Sequence, residues 1–190
     1  MKKIYVHGLG QTAHSWDKVI DLSHCKSSDM GVKICYNKVD EAVSVMKEVA
    51  EWGRKKGFRV WLDEWLSPEE LITEEARPEN FCIGQVEGKT ACAFILQNKD
   101  TEYWNDENNN DAVYIHKLCV RREFAHRQMT KAVIEALKIE CKERKIKYIR
   151  LDTRLDEKIV RKIYLRAGFK IVDIIDYDNG NSIALYEIEV

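Results

Sequence analysis

His116 has an imidazole whose ordinary titration lies near neutrality, which suits it to taking or giving a proton in catalysis. If the apolar residues around it form a strand, Tyr114 shares its face, because side chains two positions apart point the same way. Further on, Arg121, Arg122, His126, Arg127 and Lys131 crowd a stretch that leads into a helical pattern beginning near Met129. A turn from strand to helix leaves backbone N–H groups without partners, and the helix dipole adds positive potential, so such a turn suits an anion. The same residues also fit a solvated basic turn. Asp100, Glu102, Asp106 and Glu107 lie in an asparagine-rich stretch, expected to be exposed, whose charge suits a cationic amine.

Other chemistry is less well supplied. The six cysteines are scattered without a C-x-x-C pair, and several, such as Cys82 and Cys92, sit inside apolar runs where a thiol acts as a small hydrophobe. The five histidines show no metal-ligand spacing with them, so no metal is expected. No cysteine has a histidine partner identifiable from sequence, which argues against an acyl-enzyme.

The elements that must position these residues alternate between strand and helix. Val32 to Tyr36 reads as a strand, and Val39, Ala42, Val43, Met46, Val49, Ala50 and Gly53 fall on one helical face. Ser67-Pro68-Glu69-Glu70 opens another helix, with serine as N-cap and proline at the first position. Phe81 to Val86 and Thr90 to Gln97 flank a short hairpin turn at Glu87-Gly88-Lys89. Ala112 to Val120 is a strand, and Met129, Ala132, Val133, Ala136, Leu137 and Cys141 mark a long helix. Tyr148 to Asp152 is a strand, and Glu157 to Ala167 a helix with Tyr164 inward and Gly168 as its cap. Two last strands, Phe169 to Asp176 and Ser182 to Glu189, meet at Asp178-Asn179-Gly180. The class is α/β (α+β), with a mixed, mostly antiparallel sheet flanked by helices.

Length and charge narrow the function. A chain of 190 residues is one domain's worth, and 45% hydrophobic with 33% charged residues is ordinary for a soluble globule. A net charge of -1 gives no nucleic-acid footprint, and no apolar run approaches a membrane span or a signal peptide. The expected location is the cytoplasm, with neither nucleic acid nor membrane as partner.

Three local patterns then fall in a telling order. Tyr114-Ile-His-Lys-Leu-Cys-Val-Arg-Arg-Glu-Phe-Ala resembles the fourth strand, and its run into the CoA loop, of the GNAT superfamily of N-acetyltransferases. Tyr148-Ile-Arg-Leu-Asp-Thr resembles that family's fifth strand, and Tyr164-Leu-Arg-Ala-Gly-Phe resembles its "Y-x-x-x-G-F" helix end. The resemblance covers about residues 32–190, and residues 31–190 are taken as the acyltransferase domain. It implies acetyl-CoA as co-substrate, a small-molecule primary amine as acceptor, and direct attack of the amine on the thioester.

The resemblance also implies site residues. Leu118, Cys119, Val120, Arg122, His126, Arg127, Gln128, Met129, Thr130 and Lys131 would hold CoA, Tyr164 would protonate the departing thiolate, and His116 would serve as base. The family's pyrophosphate loop reads Q/R-x-x-G-x-G/A, whereas the aligned positions here are Ala125, Gln128 and Thr130, so none of the three matches. Arg127, Arg122 and Lys131 offer charge in compensation. Glu157 stands where the family often has asparagine. A domain that binds acyl-CoA or a protein partner without turnover stays open as the alternative, as does a plain core role for Tyr164.

Residues 1–30 form an extension outside that pattern. Lys3-Ile-Tyr-Val-His-Gly-Leu-Gly-Gln with Ser15-Trp16 resembles the start of an α/β-hydrolase, and Gly8 to Ala13 fits G-x-G-x-x-A. No G-x-S-x-G elbow occurs, and no full Rossmann unit follows. The extension is expected to add a strand to a sheet edge or to a partner subunit, with a homodimer among the assemblies this allows.

Overall fold

Apolar residues recurring at every second position build the sheet, and those recurring every three to four cover it. The computed structural model describes residues 31–104 and 110–190. The extension over residues 1–30, and Asp106 and Glu107, lie outside the described residues.

Strands β1 (Lys33–Cys35), β2 (Phe81–Val86), β3 (Lys89–Gln97), β4 (Ala112–Val120), β5 (Tyr148–Arg154), β6 (Lys170–Asp176) and β7 (Ser182–Glu189) form one sheet. Their spatial order is β1-β2-β3-β4-β5-β7-β6, and every neighbouring pair is antiparallel except β4 with β5. Helix α1 (Val39–Lys55) packs Ala42, Val43, Met46, Val49 and Ala50 on one face, against Trp61, Ile83, Ala93 and Ile95. On the other face α3 (Met129–Glu143) and α4 (Lys158–Arg166) set Val133, Leu137 and Tyr164 against Phe94, Val113, Ile149 and Tyr186.

The helix expected after Ser67 is shorter than its start signal promised. α2 is the four-residue turn Pro68–Leu71, capped by the Ser67 hydroxyl accepting from the Glu70 amide at 3.3 Å. Beyond it no apolar period sustains a helix, and Thr73 closes a loop instead, exchanging bonds with Ala76. The two hairpins behave as expected. Glu87 and Gly88 both take positive φ between β2 and β3, the conformation a tight two-residue turn requires. Among the described residues no helix is long and apolar enough to cross a membrane.

Two irregularities of β4 matter for function. First, β4 pairs with β5 only over Ala112–Tyr114 against Tyr148–Arg150, although both strands run on, to Val120 and to Arg154. The sheet therefore splays open toward the C-terminal ends of two parallel strands, where ligands of open α/β sheets bind. Second, the register against β3 slips between Ala93 and Ile95, and Lys117 takes φ 52. This is a β-bulge, with one extra residue in β4.

Candidate active site

Strict strand alternation would send His116 and Lys117 to opposite faces of the sheet. The bulge cancels that alternation for one residue, and both side chains line a single cleft of about 130 Å³. Its other walls come from Glu70 and Leu71 of α2, from Glu75 in the loop that follows, and from Asp100, Glu102 and Tyr103 after β3.

The stretch after β3 was expected to be exposed. Up to Trp104 it is instead folded down onto the sheet, and Asp100 is only 2% exposed. Asp100 Oδ1 accepts the amides of Glu102 and Tyr103 at 3.1 and 3.0 Å, which turns the chain inward. Tyr103 then buries against Ile183 and Leu185, and the Trp104 ring lies 4.6 Å from the Arg150 guanidinium carbon. Two aromatic side chains in a polar run supply the apolar area that holds the turn in place.

At the cleft floor the His116 imidazole lies between two carboxyls. Its Nε2 is 3.6 Å from Asp100 Oδ2, and its Nδ1 is 3.8 Å from Asp152 Oδ1. Burial, helped by the Lys117 ammonium, pushes His116 down to about 3, so the ring is neutral. Burial pushes Asp100 up to about 6 and raises Asp152, which is 1% exposed, well above the usual carboxylate range. Lys117, itself 4% exposed and 5.3 Å above the Trp61 ring, is pushed down by burial to about 7. Asp100, His116 and Asp152 also bring three ligand-type atoms within 4.8 Å of one another, a set able to hold a cation.

Lys117 and Asp152 lie inside the fourth- and fifth-strand patterns, but neither pattern singles them out as site residues. The available signal was a charge inside a strand, Lys117 alone among the apolar residues of β4 and Asp152 between Leu151 and Thr153 in β5, a placement rarely tolerated without a partner.

Tyr164 sits on α4 with its ring 5.7 Å from that of Phe169 and 6.1 Å from that of Tyr186. Burial raises its phenol far above the ordinary value, with Asp152, Cys119 and Tyr186 adding to the effect. The hydroxyl is therefore protonated throughout the physiological range.

The basic turn follows β4 directly. Leu118 and Cys119 are buried, while Val120 is half-exposed where the strand ends. A short 3-10 turn, Arg122–Phe124, then leads to α3, whose first amides at Met129, Thr130 and Lys131 have no intrahelical partner by the geometry of a helix start. Among the described residues Arg122, Arg127 and Lys131 form no ion pair. Arg122 rests on the Trp52 ring at 4.0 Å and Arg127 lies 5.4 Å from the Phe124 ring, whereas Arg121 is engaged by Glu48 at 2.9 Å.

Gln128, which replaces a glycine of the family's loop, has φ 53 and ψ 31. The left-handed conformation that glycine would supply is thus kept, at a strain cost of about 1 kcal/mol. His126 also has positive φ, at 67. Because Gln128 already holds the backbone that glycine would adopt, Gln128→Gly should leave CoA affinity within about twofold. Gln128→Val, whose branched side chain resists that backbone, should destabilise the fold by ~2 kcal/mol and weaken CoA. Thermal melts and calorimetric titration of both variants check this, and a large loss of affinity in Gln128→Gly would contradict it.

Comparison with known proteins agrees with this architecture. The model of the acetyltransferase (GNAT) family matches residues 46–169. An uncharacterized N-acetyltransferase of Bacillus subtilis (strain 168), YesJ, is 22% identical over 143 residues, covering 72% of this chain and 79% of that protein. A GNAT-family acetyltransferase structure from Listeria monocytogenes 4b F2365 covers 87% of this chain and 99% of its own, at 21% identity and a TM-score of 0.65. The aminoglycoside acetyltransferase AAC(6')-Ib, solved with coenzyme A and kanamycin, covers 83% of this chain and 94% of its own, at 13% identity and a TM-score of 0.58. With the family matched over most of the described chain, and with the splayed β4–β5 pair leading to a basic helix start, this chain belongs to the GNAT acetyltransferase family and is an acyltransferase.

Proposed function

We propose that this enzyme moves an acetyl group from acetyl-CoA to a primary amine of a small molecule, by direct attack and without an acyl-enzyme. The observation that carries the reading is the double use of β4. Its bulge presents His116 and Lys117 to an acidic cleft, and its end runs straight into the basic turn and the open N-terminus of α3. A cationic acceptor and an anionic phosphate carrier are thus served from one strand.

Acetyl-CoA, when bound, supplies an activated acyl thioester. The residues present fit it: the α3 amides of Met129, Thr130 and Lys131, with Arg122, Arg127 and Lys131 beside them, suit the pyrophosphate. Leu118, Cys119 and Val120 offer backbone in the splay, where β4 has no register partner in β5. His126 and Gln128 shape the turn by their left-handed backbones.

The acidic cleft gathers the acceptor as an ammonium, which must lose a proton before its nitrogen can attack. Asp100, His116 and Asp152 take that proton as one coupled group, with His116 as the base whose basicity rises when a neighbouring carboxyl ionises. As the C–N bond forms and the C–S bond breaks, the protonated Tyr164 hydroxyl donates to the departing sulfur. The rival reading, binding without turnover, rests on the missing glycines at Gln128 and Thr130, and the left-handed backbone at Gln128 answers the first of these.

The pH dependence follows from the groups that line the cleft, Glu70, Glu75, Asp100, Glu102, His116 and Lys117, with Asp152 beside His116. Ionisation of Asp100 through about 6 creates negative charge, and loss of the Lys117 proton through about 7 removes positive charge. Both favour a cationic acceptor, so kcat/KM should rise between pH 6 and 7 and fall below it. The assay is thiol release from acetyl-CoA with a panel of small amines, and acetylated product in the mass spectrum is the expected result. Tight acetyl-CoA binding with no turnover on any amine would instead establish the binding-only reading.

A further inference from the structure

The cleft already contains an amine of the chain's own. Lys117 lines it beside His116, and the cleft holds only about 130 Å³. Any acceptor nitrogen that reaches His116 must therefore come close to the Lys117 side chain. That side chain is 4% exposed, and its nitrogen lies 5.3 Å from the centre of the Trp61 ring, itself 1% exposed. A cation resting on a buried aromatic face is held in place by it. In β4 the residue also stands between the two halves of the reaction. His116, the base, precedes it, and Leu118, the first of the three residues that offer backbone to CoA, follows it. Beyond Tyr114 β4 has no register partner in β5, so the strand is open to a ligand along this stretch.

Resting on the acetyl-transfer reading above, we propose that Lys117 is a self-acetylation site, modified by bound acetyl-CoA when no acceptor fills the cleft. The group of Asp100, His116 and Asp152 that takes a proton from an acceptor ammonium takes one from Lys117 in the same way. The neutral Nζ attacks the thioester carbon, the N–C bond forms and the C–S bond breaks. The proton that the amide nitrogen sheds replaces the one Tyr164 gives to sulfur. The products are acetyl-lysine, CoA as the thiol, and one proton released to water. Acetylation turns a cation into a neutral amide and adds bulk to a small cleft, so the acceptor is shut out. The basic turn beyond the end of β4 is untouched, and the modified chain still binds acetyl-CoA.

The test incubates the full chain with acetyl-CoA and no amine, and maps acetylated positions over time by mass spectrometry. Lys117 should be modified first, at least about tenfold faster than exposed lysines such as Lys56 and Lys89, because bound acetyl-CoA is held beside it. Acetic anhydride, which reacts without being bound, should give the reverse order. Lys117→Arg keeps the charge and removes the nucleophilic amine, and should abolish the fast phase. Tyr164→Phe should slow the modification of Lys117 as it slows turnover.

Turnover of an added amine, with Lys117 left unmodified when that amine is withheld, would overturn self-acetylation while leaving acetyl transfer intact. Fast modification of Lys117 with no small amine ever acetylated would keep this site and overturn transfer to a small molecule. Acetylation of exposed lysines ahead of Lys117 would reduce the reaction to surface chemistry and overturn the proposal.

Discussion

Tyr164→Phe should lower kcat by about a hundredfold, in the range expected for loss of a general acid, while KM for acetyl-CoA stays within about twofold. The substitution is a clean one. The ring keeps its contacts with Phe169 and Tyr186, so the core around α4 loses only an oxygen. What disappears is a phenol whose proton is held by burial and by the nearby Asp152, a group that can donate but not accept at working pH. Steady-state kinetics with varied acetyl-CoA decides the matter. An unchanged kcat would make Tyr164 an ordinary core residue, and a large rise in KM with kcat intact would place it in binding.

Asp100→Asn should make the protein more stable and less active at once. Folding raises this carboxyl from 3.8 to about 6, so its folded-state pKa lies above its unfolded one. Such a group contributes its full stability below the unfolded value and loses it as pH rises through about 6. At pH 8 the native protein therefore carries a penalty of up to ~3 kcal/mol from this single charge. Asparagine keeps an oxygen for the amides of Glu102 and Tyr103, and its NH2 can face the neutral His116 ring. Denaturant unfolding should show a gain of ~1–3 kcal/mol at pH 8 that vanishes at pH 4. The same variant should lose at least tenfold in kcat/KM for the amine, and the limb near pH 6 should go with it. Equal stability of the two proteins at pH 8 would remove Asp100 as a strained functional charge. A site that costs stability to hold its charge is what a stability–activity trade-off predicts.

These two residues mark the limits of what the chain reveals before folding. The inward position of Tyr164 was legible because it lies inside a helix with apolar residues at regular spacing and a glycine cap at Gly168, whose φ is 101. The α1 face and the Glu87-Gly88 turn were legible for the same reason, since each depends on local pattern alone. Asp100 was not legible, because its burial depends on Tyr103 and Trp104 finding β7 and Arg150, contacts made across the fold. The pairing of His116 with Lys117 hides in a single extra residue in β4, and a bulge leaves no trace in periodicity read from one strand. Asp152 joined them only through the parallel β4–β5 contact, which brings together positions distant in the chain. At Gln128 the sequence pointed the other way: a missing glycine implied a lost conformation, yet the backbone is left-handed all the same. Glutamine tolerates that region at modest cost, so the residue type constrained the turn less than its neighbours do.

Acetyl transfer by this chain depends on the basic turn holding acetyl-CoA. Calorimetric titration of the purified 190-residue chain with acetyl-CoA, at low and at high salt, tests that most directly. The predicted result is saturable one-to-one binding at micromolar concentration, weakened by salt and by Arg127→Ala, as charge-assisted phosphate contacts require. Absence of binding at millimolar acetyl-CoA would contradict the account, leaving a GNAT fold whose splayed strands serve some other ligand.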